Sequence, residues 1–329
     1  MFGGFVGFTY LCRLMKPTND LNIRKSIAIM VLAATFAACS GDSSDTPANG
    51  YNDGPTNPSG EAEEIRVNAD VFQMMDGTRA TTYDNDDAIQ KEGSFICWAY
   101  DAGKTTINTA SKVNGITATW NGSTAWEFAE KHYWPLTDAL DFFAYMPATK
   151  PDYITSIDYD GDALSFVCTG LSSSATKEFI FALKKNQNRN TNSGTVSLNF
   201  NHPFARIYFK LSEASGTAVK INSITISGSS FYKTGTCTFD GTDSEWSDQG
   251  DAGSLGTLAI NTPYIVIPDD YGSNTITVNA TWDEWNSFST DLTSSALTLD
   301  WQAGYSYTYT LTVSKYALKV DTSKYTEQW

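Results

Sequence analysis

Ile65-Arg66-Val67-Asn68-Ala69-Asp70-Val71 alternates apolar and polar side chains with a period of two. Successive side chains of an extended chain point to opposite faces, so this spacing predicts a strand with Ile65, Val67, Ala69 and Val71 on its buried side. Tyr305, Tyr307, Tyr309, Leu311 and Val313 repeat the pattern with Ser and Thr between them. Beyond residue 62 nearly every apolar segment has this period. Val113 to Gly122 reads as a meander with turns at Asn114-Gly115 and Asn121-Gly122, because Asn-Gly tolerates the positive φ that tight hairpin turns need. Asp158 to Asp162 reads as a hairpin tip, with Ala163 to Val167 returning. The apolar phase slips by one between Val219, Ile221 and Ile224, Ile226, which predicts a bulge near Asn222-Ser223. Trp126 to Tyr133 is the one stretch with a helical look.

Composition agrees with an all-β chain. Thr, Ser, Tyr and Gly are plentiful, and 13% of the 329 residues are aromatic. The hydrophobic share of 41% is ample for a core and excludes wholesale disorder. Lys184 to Gly194 is the longest polar break in the strand-rich part. It divides the chain into 63–190 and 195–329, each with enough strands for a β-sandwich. No period of 20–50 residues recurs, which argues against a propeller or solenoid.

The formal charge is −15, from 22 basic and 37 acidic residues, with a pI near 4.4. Phosphate binding needs a basic face, so nucleic acid is not expected as a partner. The first 38 residues read as an address. Lys16, Arg24 and Lys25 precede the apolar run Ser26 to Ala38, which is too short to span a bilayer as a helix. Residues 1–14 precede a more conventional start at Met15-Lys16 and read as an over-extended N-terminus. Cys39 follows Phe36-Ala37-Ala38 and resembles the lipobox cysteine of bacterial lipoproteins, which is lipidated and becomes the first residue. Residues 39–62, rich in Gly, Ser, Pro and Asp, read as a tether. Removal of 1–38 takes away four basic residues and Asp20, leaving 18 basic against 36 acidic and a balance of −18.

The chemistry-bearing residues are sparse. Asp158, Asp160 and Asp162 have calcium-like spacing, but Ala163 stands where the calcium loop needs Gly and the closing Glu is missing. His132 and His202, the two histidines of the chain, adjoin prolines and aromatics and lie near no nucleophile motif. Trp282 and Trp285 flank Asp283-Glu284, either as a sugar-stacking platform or as a strand end over a core. Cys97, Cys168 and Cys237 sit in apolar or alternating segments and read as buried thiols. Neither a catalytic group nor a cofactor or metal site is expected.

Several segments together carry a family resemblance: Gly77-Thr78-Arg79-Ala80-Thr81, Tyr133-Trp134-Pro135, Leu140 to Pro147, Leu198 to Ala205, and Trp301-Gln302-Ala303-Gly304-Tyr305. With the lipobox and tether before them, they resemble the fimbrillin-like (Mfa-like) family, the type V pilus subunits and related surface lipoproteins of Gram-negative anaerobes. The resemblance covers residues 63–315. It implies two tandem transthyretin-like β-sandwich domains, an outer-membrane or fimbrial location, and no catalysis. It also implies assembly by strand exchange, in which an arginine-specific protease releases a first strand and a strand of another fimbrial subunit fills the groove. Carried onto this chain, the removable strand is Ile65 to Phe72 with knobs Ile65, Val67, Ala69 and Val71, and Arg79 is the processing candidate, with Arg66 as competitor. Tyr316, Leu318 and Val320 form a last alternating segment that could donate to a neighbour. Other implied partners are the membrane, through the lipid on Cys39, and a host or bacterial surface ligand. A surface glycan-binding lipoprotein is the alternative reading.

Overall fold

The computed structural model describes residues 62–71, 86–175, 177–190, 194–216, 218–282 and 288–325. Cys39, Arg79 and Trp285 lie outside them. The first part runs β1 (Arg66–Val71), helix α1 (Asp86–Glu92), β2 (Ser94–Asp101), β3 (Asn114–Trp120), β4 (Trp126–Phe128), β5 (Leu140–Met146), β6 (Ile154–Tyr159), β7 (Leu164–Cys168) and β8 (Ile180–Gln187). Then come β9 (Thr195–Phe200), β10 (Ala205–Leu211), β11 (Val219–Ser227), β12 (Thr234–Phe239), β13 (Ser244–Gly250), β14 (Pro263–Val266) and β15 (Asp269–Trp282). The chain closes with β16 (Phe288–Thr293), β17 (Leu297–Trp301), β18 (Ser306–Ser314) and β19 (Ala317–Tyr325). The fold is all-β, as the alternation predicts.

Seven strands form one sheet in the order β8-β5-β2-β3-β4-β1-β9. Its two ends meet where Phe181 and Asn201 exchange main-chain hydrogen bonds of 3.2 and 2.8 Å. The sheet thereby curls around a core that includes Val67, Phe95, Trp126, Phe142, Leu198 and Phe200. Phe95 is the hub, its ring 5.0 Å from that of Trp126 and 5.4 Å from that of Phe200.

A second core lies between the sheet β14-β10-β18-β19 and the sheet β11-β15-β16, which β17 extends along β15. Phe209 stacks on Tyr309 at 5.2 Å, and Trp301 Nε1 donates to the Tyr309 hydroxyl at 2.8 Å. Burying a Tyr or Trp is favourable when its polar tip finds such a partner.

A third core joins the two. Phe143, Phe181 and Leu183 face the sheet β13-β12-β7-β6, which contributes Phe166, Cys168, Cys237 and Phe239, and Phe204, Ile265 and Ile267 pack beside them. Strand pairing thus runs across the polar segment 184–194. β9 belongs to the first sheet, and β7 pairs with β12 from Leu164↔Phe239 to Cys168↔Gly235. Lys184 to Gln187 of that segment belong to β8, with Gln187 buried, and both neighbouring strands, β8 and β9, lie in the seven-stranded sheet.

Local expectations divide by cause. The bulge near Asn222-Ser223 is present as a register shift between Ile221 and Ser223. The hairpin at 158–162 joins β6 to β7. Asn121-Gly122 is a turn, but Asn114-Gly115 lies within β3 and forms a bulge opposite Cys97 and Trp98. Gly115 has φ +63°, and an added Cβ would lie 3.2 Å from the Trp98 indole nitrogen, so that ring takes the room glycine leaves. The helical expectation for Trp126 to Tyr133 is incorrect: Trp126 to Phe128 is β4, drawn into the sheet by the burial of Trp126 against Phe95. The helix is at Asp86–Glu92, with Ile89 fully buried.

Candidate assembly groove around the first strand

β1 lies between β4 and β9, and its two neighbours hold it unequally. On one side it pairs in parallel with β9 over six positions, from Arg66↔Thr195 to Val71↔Phe200. On the other it has one antiparallel pair with β4, Val67↔Trp126. The asymmetry is built into the local sequence. Asn121 Oδ1 accepts from the N–H groups of Ser123, Thr124 and Ala125 at 3.0, 2.9 and 3.2 Å. This Asx-type loop uses the residues that would otherwise extend β4 toward the far end of β1.

The near end of β1 is tied differently. Glu64 bridges Tyr133, Ile65 N–H donates to His132 O at 2.7 Å, and Trp134 N–H donates to Glu63 O at 3.0 Å. Between this anchor and the Val67–Trp126 pair, residues 127–131 bow away from the strand. The gap is a cleft of about 770 Å³ lined by residues 64–68 and 124–131 with Thr195 and Ser197. Its mouth is charged: Arg66 is exposed, and Lys131 Nζ lies 3.4 Å from Glu64 Oε2.

The side chains of β1 alternate as expected. Ile65, Val67 and Ala69 are 2, 4 and 2% exposed, and Val71 ends the strand. Fully burying an Ile or Val stabilises by about 1.5–3 kcal/mol, so these knobs hold the strand more than its polar face does. Arg66 N–H is bonded to Gly194 O at 2.9 Å, so its backbone is engaged. Arg79 lies outside the described residues.

One residue that carries β1, Gly194, escapes a motif search. Gly194 has φ +82°, and an added Cβ would lie 3.1 Å from Glu64 O, so the chain passes β1 at a distance only glycine permits. Its carbonyl also accepts from Trp134 Nε1 at 3.2 Å. The signal available in the sequence was a Gly immediately before an alternating strand, which is too common to single out.

The remaining candidates are structural. Asp160 Oδ1 accepts from the N–H groups of Ala163 and Asp162 at 2.8 and 2.9 Å, and these bonds hold its carboxyl below the usual range. Asp162 pairs with Lys185 at 2.7 Å. Among the described residues no group of three or more His, Cys, Asp or Glu is placed to hold a metal. His132 Nδ1 lies 3.0 Å from Ser111 O, so this ring braces the loop that anchors Ile65. His202 Nδ1 lies 2.7 Å from Glu178 Oε1, both buried, next to the Phe181–Asn201 closure. Trp282 is buried, its ring packed into the second core. Cys97, Cys168 and Cys237 are buried and free, and burial pushes all three thiols up, Cys168 to about 12. The last alternating segment is β19, paired with β18 over nine positions.

Comparison with known proteins agrees with this architecture. A fimbrial protein from Bacteroides vulgatus superposes with a TM-score of 0.54 at 16% identity, covering 81% of this chain and 99% of the other. The tip fimbrial protein Mfa3 from Porphyromonas gingivalis covers 81% of this chain and 100% of its own length at 10% identity, with a TM-score of 0.40. No curated protein sequence matches the chain. The fimbrillin-like family model matches residues 78–329, beginning just after the groove strand and continuing to the last residue. This chain belongs to the fimbrillin-like family.

Proposed function

We propose that this protein is a structural or adhesive fimbrial subunit of the cell surface, non-catalytic, that assembles by proteolysis-triggered strand exchange. One observation carries this reading: β1 is held by a single six-position parallel ladder, one antiparallel pair and a row of apolar knobs. Its departure would leave the edge of β9 without a partner and the pockets of Ile65, Val67 and Ala69 open to solvent. Unpaired edges beside apolar pockets favour capture of another strand, with main-chain bonds giving affinity and alternate side chains giving specificity. The donor is a strand of another fimbrial subunit.

In this reading the chain is exported as an outer-membrane lipoprotein anchored through the lipid on Cys39, and an arginine-specific protease cuts after Arg79. Arg66 is the poorer target, because its N–H is bonded within the sheet and a protease needs an extended, unpaired segment. β19 would have to leave its own sheet to act as a donor, which supports an acceptor, tip or accessory position over a stalk position. N-terminal sequencing of the protein taken from intact surface structures tests the whole scheme. A mature start at Ala80 is expected; a start at Cys39 in the assembled form would refute processing.

A further inference from the structure

β19 lies last in its sheet, and among the described residues no strand pairs with its outer edge. Natural edges of this length are ordinarily shortened, bulged or broken by proline, because open main-chain groups recruit other strands. β19 has none of these devices. Its ladder with β18 runs without a register shift from Ala317 to Tyr325. Lysines are its remaining protection, yet Lys319 Nζ sits 2.9 Å from Asp321 Oδ1, and Lys324 is turned onto the Tyr305 ring and Gln302 Oε1.

The direction of the open groups follows from the turn. Lys315 and Tyr316 form a two-residue connection, so Ser314 and Ala317 exchange both main-chain hydrogen bonds. Counting along from Ala317, residues Lys319, Asp321 and Ser323 also direct N–H and C=O toward β18. Leu318, Val320, Thr322 and Lys324 direct theirs outward.

We propose that a second copy of this chain occupies this edge, the two β19 strands pairing antiparallel about a two-fold axis at Val320. An axis on Lys319 or Asp321 would also close a ladder but would set two like charges directly opposite each other, which is unfavourable. Of the choices, Val320 alone sets Lys319 of each copy opposite Asp321 of the other. That pair falls at a non-hydrogen-bonded position, where side chains across a ladder come closest and opposite charges are favourable. In the same register Val320 meets its symmetry mate, Leu318 meets Thr322, and Tyr316, 82% exposed in the single copy, meets Lys324. The interface is self-complementary, as a two-fold contact must be, and the two four-stranded sheets become one. One strand pair is a small interface, so the dimer is weak and reversible, and forms at salt that screens the acidic bodies beyond about 8 Å. This contact uses neither β1 nor its groove and stands apart from strand exchange.

Sedimentation equilibrium of the full chain tests the proposal, with Asp321→Lys and with the swapped pair Lys319→Asp/Asp321→Lys. Both side chains are mostly exposed, so the variants keep the fold. The expected result is reversible dimerisation of the parent chain, at least a tenfold weaker dimer for the single variant, and recovery in the swap. A mixture of Lys319→Cys and Asp321→Cys chains should cross-link as a heterodimer under mild oxidation, beyond either chain alone. Monomers throughout would overturn the proposal and leave the edge to a different strand. Dimers indifferent to Asp321→Lys, or cross-linking equally strong in Lys319→Cys alone, would overturn the register.

Discussion

Val67→Ala tests whether apolar knobs retain the first strand. Val67 is 4% exposed and lies where β1 has neighbours on both sides, Trp126 in β4 and Val196 in β9. Deleting two methyl groups forfeits about 1.6 kcal/mol of burial at roughly 0.8 kcal/mol per group. The surrounding ladder resists collapse into the space, so the residual cavity raises the cost to about 2–3 kcal/mol. At about 1.4 kcal/mol per factor of ten, a chain nicked at Arg79 should lose the fragment carrying β1 roughly 30–150 times faster than its parent. The assay is isolation of the nicked complex by size exclusion, followed by timed mass measurement of the retained fragment. Asn68→Ala is the control, since that side chain is half-buried and its described side-chain bonds go only to Asp70 within the same strand. Its release rate should change by less than about threefold, in line with about 0.5 kcal/mol for surface changes. Equal effects of the two substitutions would refute retention by knobs.

Asp141→Ala should lower stability by about 3–5 kcal/mol, read as a shift in denaturation midpoint with unchanged slope, because a buried carboxylate accepts from Gly103 N–H, Asn186 N–H and the Tyr159 hydroxyl at 2.6, 2.7 and 2.7 Å. Gly194→Ala should cost about 1–3 kcal/mol, and amide exchange should show the loss concentrated at Arg66 and Asn68, whose N–H groups face β9, since the new Cβ would press on Glu64 O. Stability should be flat from pH 7 to about pH 8.5 and fall above it. The folded thiols are raised, Cys168 to about 12, so at alkaline pH the unfolded chain sheds protons that the folded chain keeps. A denaturation series from pH 7 to pH 10 that shows no decline would contradict this. Cys39→Ala should abolish acyl labelling and membrane anchoring, and labelling that persists would refute lipidation there.

Much of the fold could be read from periodicity. The alternation at Ile65 to Val71 and Tyr305 to Val313 marks strands because burial of one face leaves a trace in every second residue. The slip between Ile221 and Ile224 marked a bulge for the same reason. Trp126 to Phe128 was harder, since three residues hold too short a pattern to separate strand from helix, and burial against Phe95 decides the matter. Asn114-Gly115 carried a correct signal for positive φ at Gly115, but positive φ serves a bulge as well as a turn.

The candidate groove was legible only in part. The row Ile65, Val67, Ala69 and Val71 identified a strand with a buried face, and the resemblance identified it as removable. The knobs stand in the sequence because burial selects side-chain type position by position. Period two says nothing about which strand lies alongside, because partners distant in sequence are chosen by packing and chain closure. Only the tertiary structure decided that β9 crosses the polar segment to become the parallel neighbour of β1, that a capped loop leaves β4 a single pair, and that no strand among the described residues pairs with the outer edge of β19.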